Sequence, residues 1–143
     1  MLKGISSIIS PELLKILMEM GHGDEIVIGD GNFPAASYAK RLVRCDGHGV
    51  PPLLEAIMEL FPLDEYVENP VALMAVAKGD TTPTPPIWQT FDSILQKHGQ
   101  LPNKIEYMER FAFYKRTKKA FAIVATGESA IYANILLKKG VIK

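Results

Sequence analysis

The chain has 143 residues, 48% of them apolar, with 16 basic and 16 acidic side chains and a formal net charge of zero. A chain of this length reads as one domain, residues 1–143, burying roughly two-thirds of its unfolded surface. Balanced charge without a basic run disfavours nucleic-acid binding, and zero net charge with a mean hydropathy of +0.09 points to surface hidden in an oligomer.

A single cysteine, Cys45, excludes an intramolecular disulfide. Nothing near it would activate a nucleophile, so it reads as a small buried residue. Residues 1–10 do not have the pattern of a secretory signal, and the expected location is the cytoplasm. The longest apolar runs, near Val71–Ala77 and Phe121–Ala125, are too short to span a bilayer, so no membrane association is expected.

Along the chain, Ser10-Pro11-Glu12 marks a helix start: an N-cap hydroxyl, proline at the first helical position and an acid in the first turn. Leu13, Leu14, Leu17 and Met20 form its apolar stripe, and Gly21 ends it. Glu25–Ile28 is a short β-branched strand, followed by a turn at Gly31-Asn32-Phe33-Pro34 and a second strand at Leu42–Arg44. Pro51-Pro52 opens a helix with Leu53, Leu54, Ile57, Met58 and Phe61 on one side. Val71–Ala77 is a continuous apolar run suited to a strand covered on both faces. A Thr/Pro-rich loop, Gly79–Pro86, precedes a helix at Ile87–His98. A strand at Lys104–Met108 and a basic, aromatic helix at Arg110–Lys119 follow. Two last strands, Phe121–Ala125 and Ile131–Leu137, flank Thr126-Gly127-Glu128-Ser129. The alternation predicts a three-layer α/β/α domain, one sheet of about six strands with helices on both faces. Neither a Gly-x-Gly-x-x-Gly nor a Walker-type loop is present, which argues against the usual nucleotide folds.

Five residues stand out as chemistry. His22, between two glycines, carries an imidazole that could move protons; it could equally be a helix C-terminal histidine favoured by the dipole. Asp30 closes the strand that His22 precedes, either as a hydroxyl acceptor or as a turn residue. Asp24, in the same loop as His22, reads as a capping or solvated acid. Tyr132 and Asn134, two apart on a predicted strand, would share one face as a donor–acceptor pair for sugar hydroxyls, or form the polar face of an edge strand. Arg110 is a surface charge or a planar donor fork for a ligand oxygen, with Tyr114 one helical turn on as a possible companion. His98 reads as a helix-end dipole partner and His48 as a loop residue. The three histidines are scattered without metal-ligand spacing, so neither a metal nor another cofactor is expected. No Gly-x-Ser-x-Gly elbow occurs.

Several strings carry a resemblance: Ile9-Ser10-Pro11-Glu12-Leu13-Leu14, Glu19-Met20-Gly21-His22-Gly23-Asp24-Glu25-Ile26, Asp30, Phe33-Pro34, Arg110-Phe111-Ala112-Phe113-Tyr114, Thr126-Gly127-Glu128, and Tyr132 through Val141. In these the chain resembles the RbsD/FucU family, and within it the fucose-type mutarotases, over nearly its whole length. Ribose-type members carry histidine where this chain has Arg110. The chain departs from the fucose-type pattern at Asn32, where that pattern has histidine, and in the segments 35–41 and 81–86. The resemblance implies an RbsD-like fold and interconversion of the α and β anomers of L-fucose or a similar monosaccharide. It assigns His22 as the acid–base group and Asp30, Arg110, Tyr132 and Asn134 as sugar contacts. It also implies a ring-shaped homo-oligomer, a decamer, with sites near subunit boundaries. The alternatives are a non-catalytic monosaccharide-binding accessory protein of sugar uptake, or a ribose-type pyranase.

Overall fold

Ten of the chain's apolar-rich segments and one short turn of helix resolve into eleven elements in a computed structural model, which describes residues 1–100 and 104–143. The helices are α1 (Pro11–Glu19), α2 (Ala35–Tyr38), α3 (Val50–Met58), α4 (Pro86–Lys97) and α5 (Arg110–Thr117). The strands are β1 (Glu25–Gly29), β2 (Leu42–Cys45), β3 (Val71–Met74), β4 (Ile105–Met108), β5 (Ala122–Thr126) and β6 (Ile135–Lys138). They form one six-stranded sheet in the order β2-β5-β1-β6-β3-β4. β1 pairs parallel with β5, β5 with β2 and β3 with β4, while β6 runs antiparallel between β1 and β3.

Alternation along the strands sorts side chains to two faces. Ile26, Ile28, Val124 and Leu137 pack under α1, α3 and α4, against Leu13, Leu17, Leu53, Ile57, Phe91 and Leu95. Val27, Ile123 and Leu136 point the other way, toward Ala35 of α2 and Phe113 of α5. Every residue of β3 is buried, as its unbroken apolar run requires of a strand covered on both sides. The expected α/β arrangement with helices on both faces is therefore present.

Local signals explain the element ends. The Ser10 hydroxyl caps α1 by accepting from Leu13 N–H at 3.1 Å. α3 begins at Gly49, which has no side chain to cap it, and the Glu128 carboxylate accepts the Val50 N–H instead, at 3.0 Å. The sequence pattern gives no sign of α2, because a single turn is too short to show a 3.6-residue period. The expected strand Val71–Ala77 stops at Met74, and Ala77 N–H turns to the Tyr132 hydroxyl, 3.2 Å away. Cys45 is buried and unpaired. Among the described residues, no helix is long and apolar enough to cross a membrane.

Candidate active site

Five strands run in one direction and β6 in the other, so the carboxyl ends of β1 to β5 and the entry to β6 share one edge of the sheet. That edge is where ligands bind in open α/β sheets. Asp30 follows β1 there, Arg110 follows β4, and Tyr132, Ala133 and Asn134 lead into β6. Asp30 and Asn134 are buried polar side chains. Asp30 N–H donates to Asn134 Oδ1 at 2.8 Å. The Asp30 carboxylate accepts from Asn32 N–H at 3.0 Å and from Ala133 N–H at 3.3 Å. Burial pushes the Asp30 carboxyl above its ordinary value, and those N–H groups and the Asn134 side chain pull part of the way back. With its oxygen committed to Asp30, the Asn134 amide keeps its NH₂ for donation.

Tyr132 and Asn134 do not share a strand face, contrary to the period-2 expectation. The strand expected from Ile131 begins only at Ile135, because Tyr132 takes a left-handed backbone with φ 57°. A non-glycine residue pays for this conformation, and neighbours must hold it. Trp88 Nε1–H donates to the Tyr132 carbonyl at 2.8 Å, and the Tyr132 hydroxyl donates a short hydrogen bond to Asp80. The bond to Asp80 raises the phenol's pKa, and the positive charge of Arg110 works in the opposite direction. Sequence reading missed Trp88 and Asp80. Trp88 is the only tryptophan of the chain, and Asp80 sits in a Gly-Asp-Thr-Thr turn whose Thr82 N–H it accepts at 2.8 Å. Those were the available signals.

Arg110 is exposed at the first turn of α5, which Glu109 caps through Ala112 N–H at 3.0 Å. Its guanidinium lies 4.6 Å from the centre of the Phe111 ring. Tyr114 stacks on Phe33 at 5.8 Å and meets Tyr38 and Phe111, so it reaches Arg110 through the Phe111 ring. The basic face of α5 is partly structural, since Arg116 binds Glu25 of β1 and Glu106 of β4.

His22 is not part of this cluster. It stands at the opposite edge, where β1 begins and β6 ends; Gly23 N–H donates to the Lys139 carbonyl at 2.8 Å. The five residues of β1 separate it from Asp30 by roughly 16 Å of extended chain. Its Nε2 is 3.2 Å from Asp64 Oδ1, and its ring is tilted 5.5 Å from that of Tyr66. Asp24 has the capping role expected of it, accepting Gly21 N–H at 2.8 Å. His98 ends α4 and pairs with Glu55 at 2.8 Å, and His48 lies in the loop before α3. Among the described residues, no three His, Cys, Asp or Glu side chains converge as metal ligands would.

Neither prominent cavity holds the polar cluster. One, of about 430 Å³, lies beside Asp64, Glu68 and His98, and the other, of about 480 Å³, is lined by Thr82, Pro83, Ile87 and Ile131. Asp30, Arg110 and Asn134 line neither of these two cavities.

Buried and exposed hydrogen-bonding groups thus gather at one edge of an α/β sheet, the class of site in which such folds hold small polar ligands. The comparisons give that class a family: the chain matches the RbsD / FucU transport protein family over residues 3–142 and belongs to it. It is 49% identical to the fucose mutarotase of Homo sapiens over 146 residues, covering 99% of this chain and 94% of that one. It is 52% identical to the L-fucose mutarotase of Actinobacillus pleuropneumoniae serotype 5b over 141 residues, covering 99% and 97%. Its fold matches the crystal structure of the fucose mutarotase of Streptococcus pneumoniae in complex with L-fucose, with a TM-score of 0.95 and 54% identity, over 99% of this chain and all of that one.

Proposed function

We propose that this chain is an L-fucose mutarotase, an isomerase that interconverts the α and β anomers of the sugar. The observation that carries the reading is identity near 50% with fucose mutarotases along the whole chain, with Asp30, Arg110, Tyr132 and Asn134 in place at one sheet edge. In the reaction, a proton leaves the anomeric hydroxyl, one arrives at the ring oxygen, and the bond from C1 to the ring oxygen breaks. The open-chain aldehyde then recloses on the other face of C1. One acid–base side chain can serve both transfers, and His22 is that group. Uncatalysed exchange already proceeds in water, so acid–base help of about 10²–10⁴-fold is sufficient. The Asp30 carboxylate, the Asn134 NH₂ and the Arg110 guanidinium hold the hydroxyls, and Tyr132 fixes the remaining edge.

The active site is composite. His22 of one protomer completes the Asp30 cluster of the next, which the length of β1 forbids within one chain. Apolar surface marks both edges: Tyr66 beside His22 is 70% exposed, and Phe111 beside Arg110 is 64% exposed. A contact between two different edges is head-to-tail, and such contacts form a ring when the rotation between neighbours closes. The working form is a ring-shaped homo-oligomer, a decamer, of one-domain chains acting in the cytoplasm.

Saturation-transfer NMR between the anomers of L-fucose, D-ribose, D-galactose and D-glucose tests the reading. Accelerated exchange is expected for L-fucose above the others. Binding of L-fucose without faster exchange would instead make the chain a non-catalytic sugar-binding protein. Arg110→His is expected to weaken L-fucose binding about tenfold, the worth of one charge-assisted hydrogen bond of ~1.5 kcal/mol, and to raise D-ribose exchange relative to L-fucose. Titration calorimetry and exchange rates unmoved by the substitution would leave Arg110 a surface residue.

A further inference from the structure

Asp64 lies in the loop between α3 and β3, with its side chain only 3% exposed, yet its neighbour His22 is 47% exposed. A buried carboxylate is costly unless something pairs with it. Two groups do: Asp64 Oδ1 accepts Tyr66 N–H at 3.0 Å and stands 3.2 Å from His22 Nε2. Burial would push the Asp64 carboxyl up, but Tyr66 N–H, the His22 ring and the charge of Lys138 hold it below the usual carboxylate range. At neutral pH Asp64 is then an acceptor only. An acceptor-only partner decides which ring nitrogen carries the proton: Nε2 holds the hydrogen and Nδ1 keeps its lone pair.

We infer that Asp64 is the positioning residue of His22, fixing its ring and its Nε2–H tautomer so that Nδ1 is the nitrogen presented to the sugar. The inference rests on His22 being the acid–base group. The surroundings suit it. Tyr66 walls one side of the ring, and the Asp64 main-chain N–H is anchored on the Lys138 carbonyl at 3.0 Å, so the carboxylate is fixed to the end of β6. Two nearby acids are engaged elsewhere: Asp24 with Gly21 N–H, and Glu65 with Lys143 at 2.9 Å. A histidine oriented by a buried carboxylate, which never itself takes the reacting proton, is a recurring arrangement in proton-transfer enzymes.

The test uses the assembled protein with ¹⁵N-labelled histidine. Two-bond ¹H–¹⁵N spectra are expected to show His22 as the Nε2–H tautomer. Asp64→Asn keeps an acceptor for Tyr66 N–H, and so the turn, but can offer His22 either its oxygen or its NH₂. It is expected to mix the two tautomers and slow L-fucose anomer exchange about 100-fold, while the Kd for L-fucose moves only a few-fold. A merely structural Asp64 would leave the tautomer unchanged. Wild-type His22 in the Nδ1–H form, or wild-type exchange in Asp64→Asn, overturns the inference and leaves the mutarotase reading standing. Exchange untouched by His22→Ala overturns the inference and removes His22 from the mechanism; exchange absent from the wild type overturns both.

Discussion

His22→Ala is expected to reduce L-fucose anomer exchange by about 10²–10⁴-fold, the contribution of a positioned general acid–base group. The fold should survive. His22 is half-exposed and Asp64 keeps its bond from Tyr66 N–H, so losing one partner of the buried carboxylate should cost about 1–3 kcal/mol. L-Fucose affinity should change little, because in the proposed composite site the hydroxyl-holding groups stand on the other sheet edge and come from the neighbouring protomer. Saturation-transfer NMR gives the rate and calorimetry the affinity. Exchange at the wild-type rate would remove His22 from the mechanism.

Asp30→Asn is expected to act on the same reaction from the opposite side. The buried carboxylate is the strongest acceptor at the cluster, and replacing it weakens hydrogen bonds to the sugar by about 1.5–3 kcal/mol, on the order of 10–100-fold in Kd. Stability should move little. Burial raises the Asp30 carboxyl, so the folded chain holds that proton to higher pH than the unfolded chain does. The folded state binds more protons in that window, and stability therefore falls as pH rises through it. Asparagine removes this cost but, with a single oxygen, gives up one of the two backbone N–H bonds the carboxylate accepts, so the gain is offset and the variant should melt close to wild type at neutral pH. A melting temperature well below wild type, with L-fucose affinity intact, would make Asp30 a turn residue.

Most of the fold was legible because the strands and long helices differ in period, and because Ser10-Pro11 and the Pro51-Pro52 pair announce helix starts. The segment before β6 was not. Ile131 to Leu137 alternates as a strand does, but alternation cannot reveal that Tyr132 is left-handed, since that state depends on Trp88 and Asp80 from a distant loop. Asp30 and Asn134 were each visible as polar residues. Their mutual hydrogen bond comes from the adjacency of β1 and β6, a pairing that sequence spacing does not encode. His22 and Asp30 look adjacent in the chain, yet an extended strand carries them to opposite edges, and proximity along the sequence misleads there. Asp64 carried no motif at all. Only the distance to His22 brings it into view.

The composite site is the central claim, and hybrid complementation tests it most directly. His22→Ala and Asp30→Asn chains are each made alone and then co-expressed, and L-fucose anomer exchange is measured by NMR on all three oligomers. With L-fucose held below the wild-type Kd, each parent should be nearly inactive. In a randomly mixed ring, an intact His22 edge meets an intact Asp30 edge at about one quarter of the contacts, and activity should recover to that fraction of wild type. Hybrid activity no greater than that of the two parents, with the wild type active under the same conditions, would contradict a site shared between protomers.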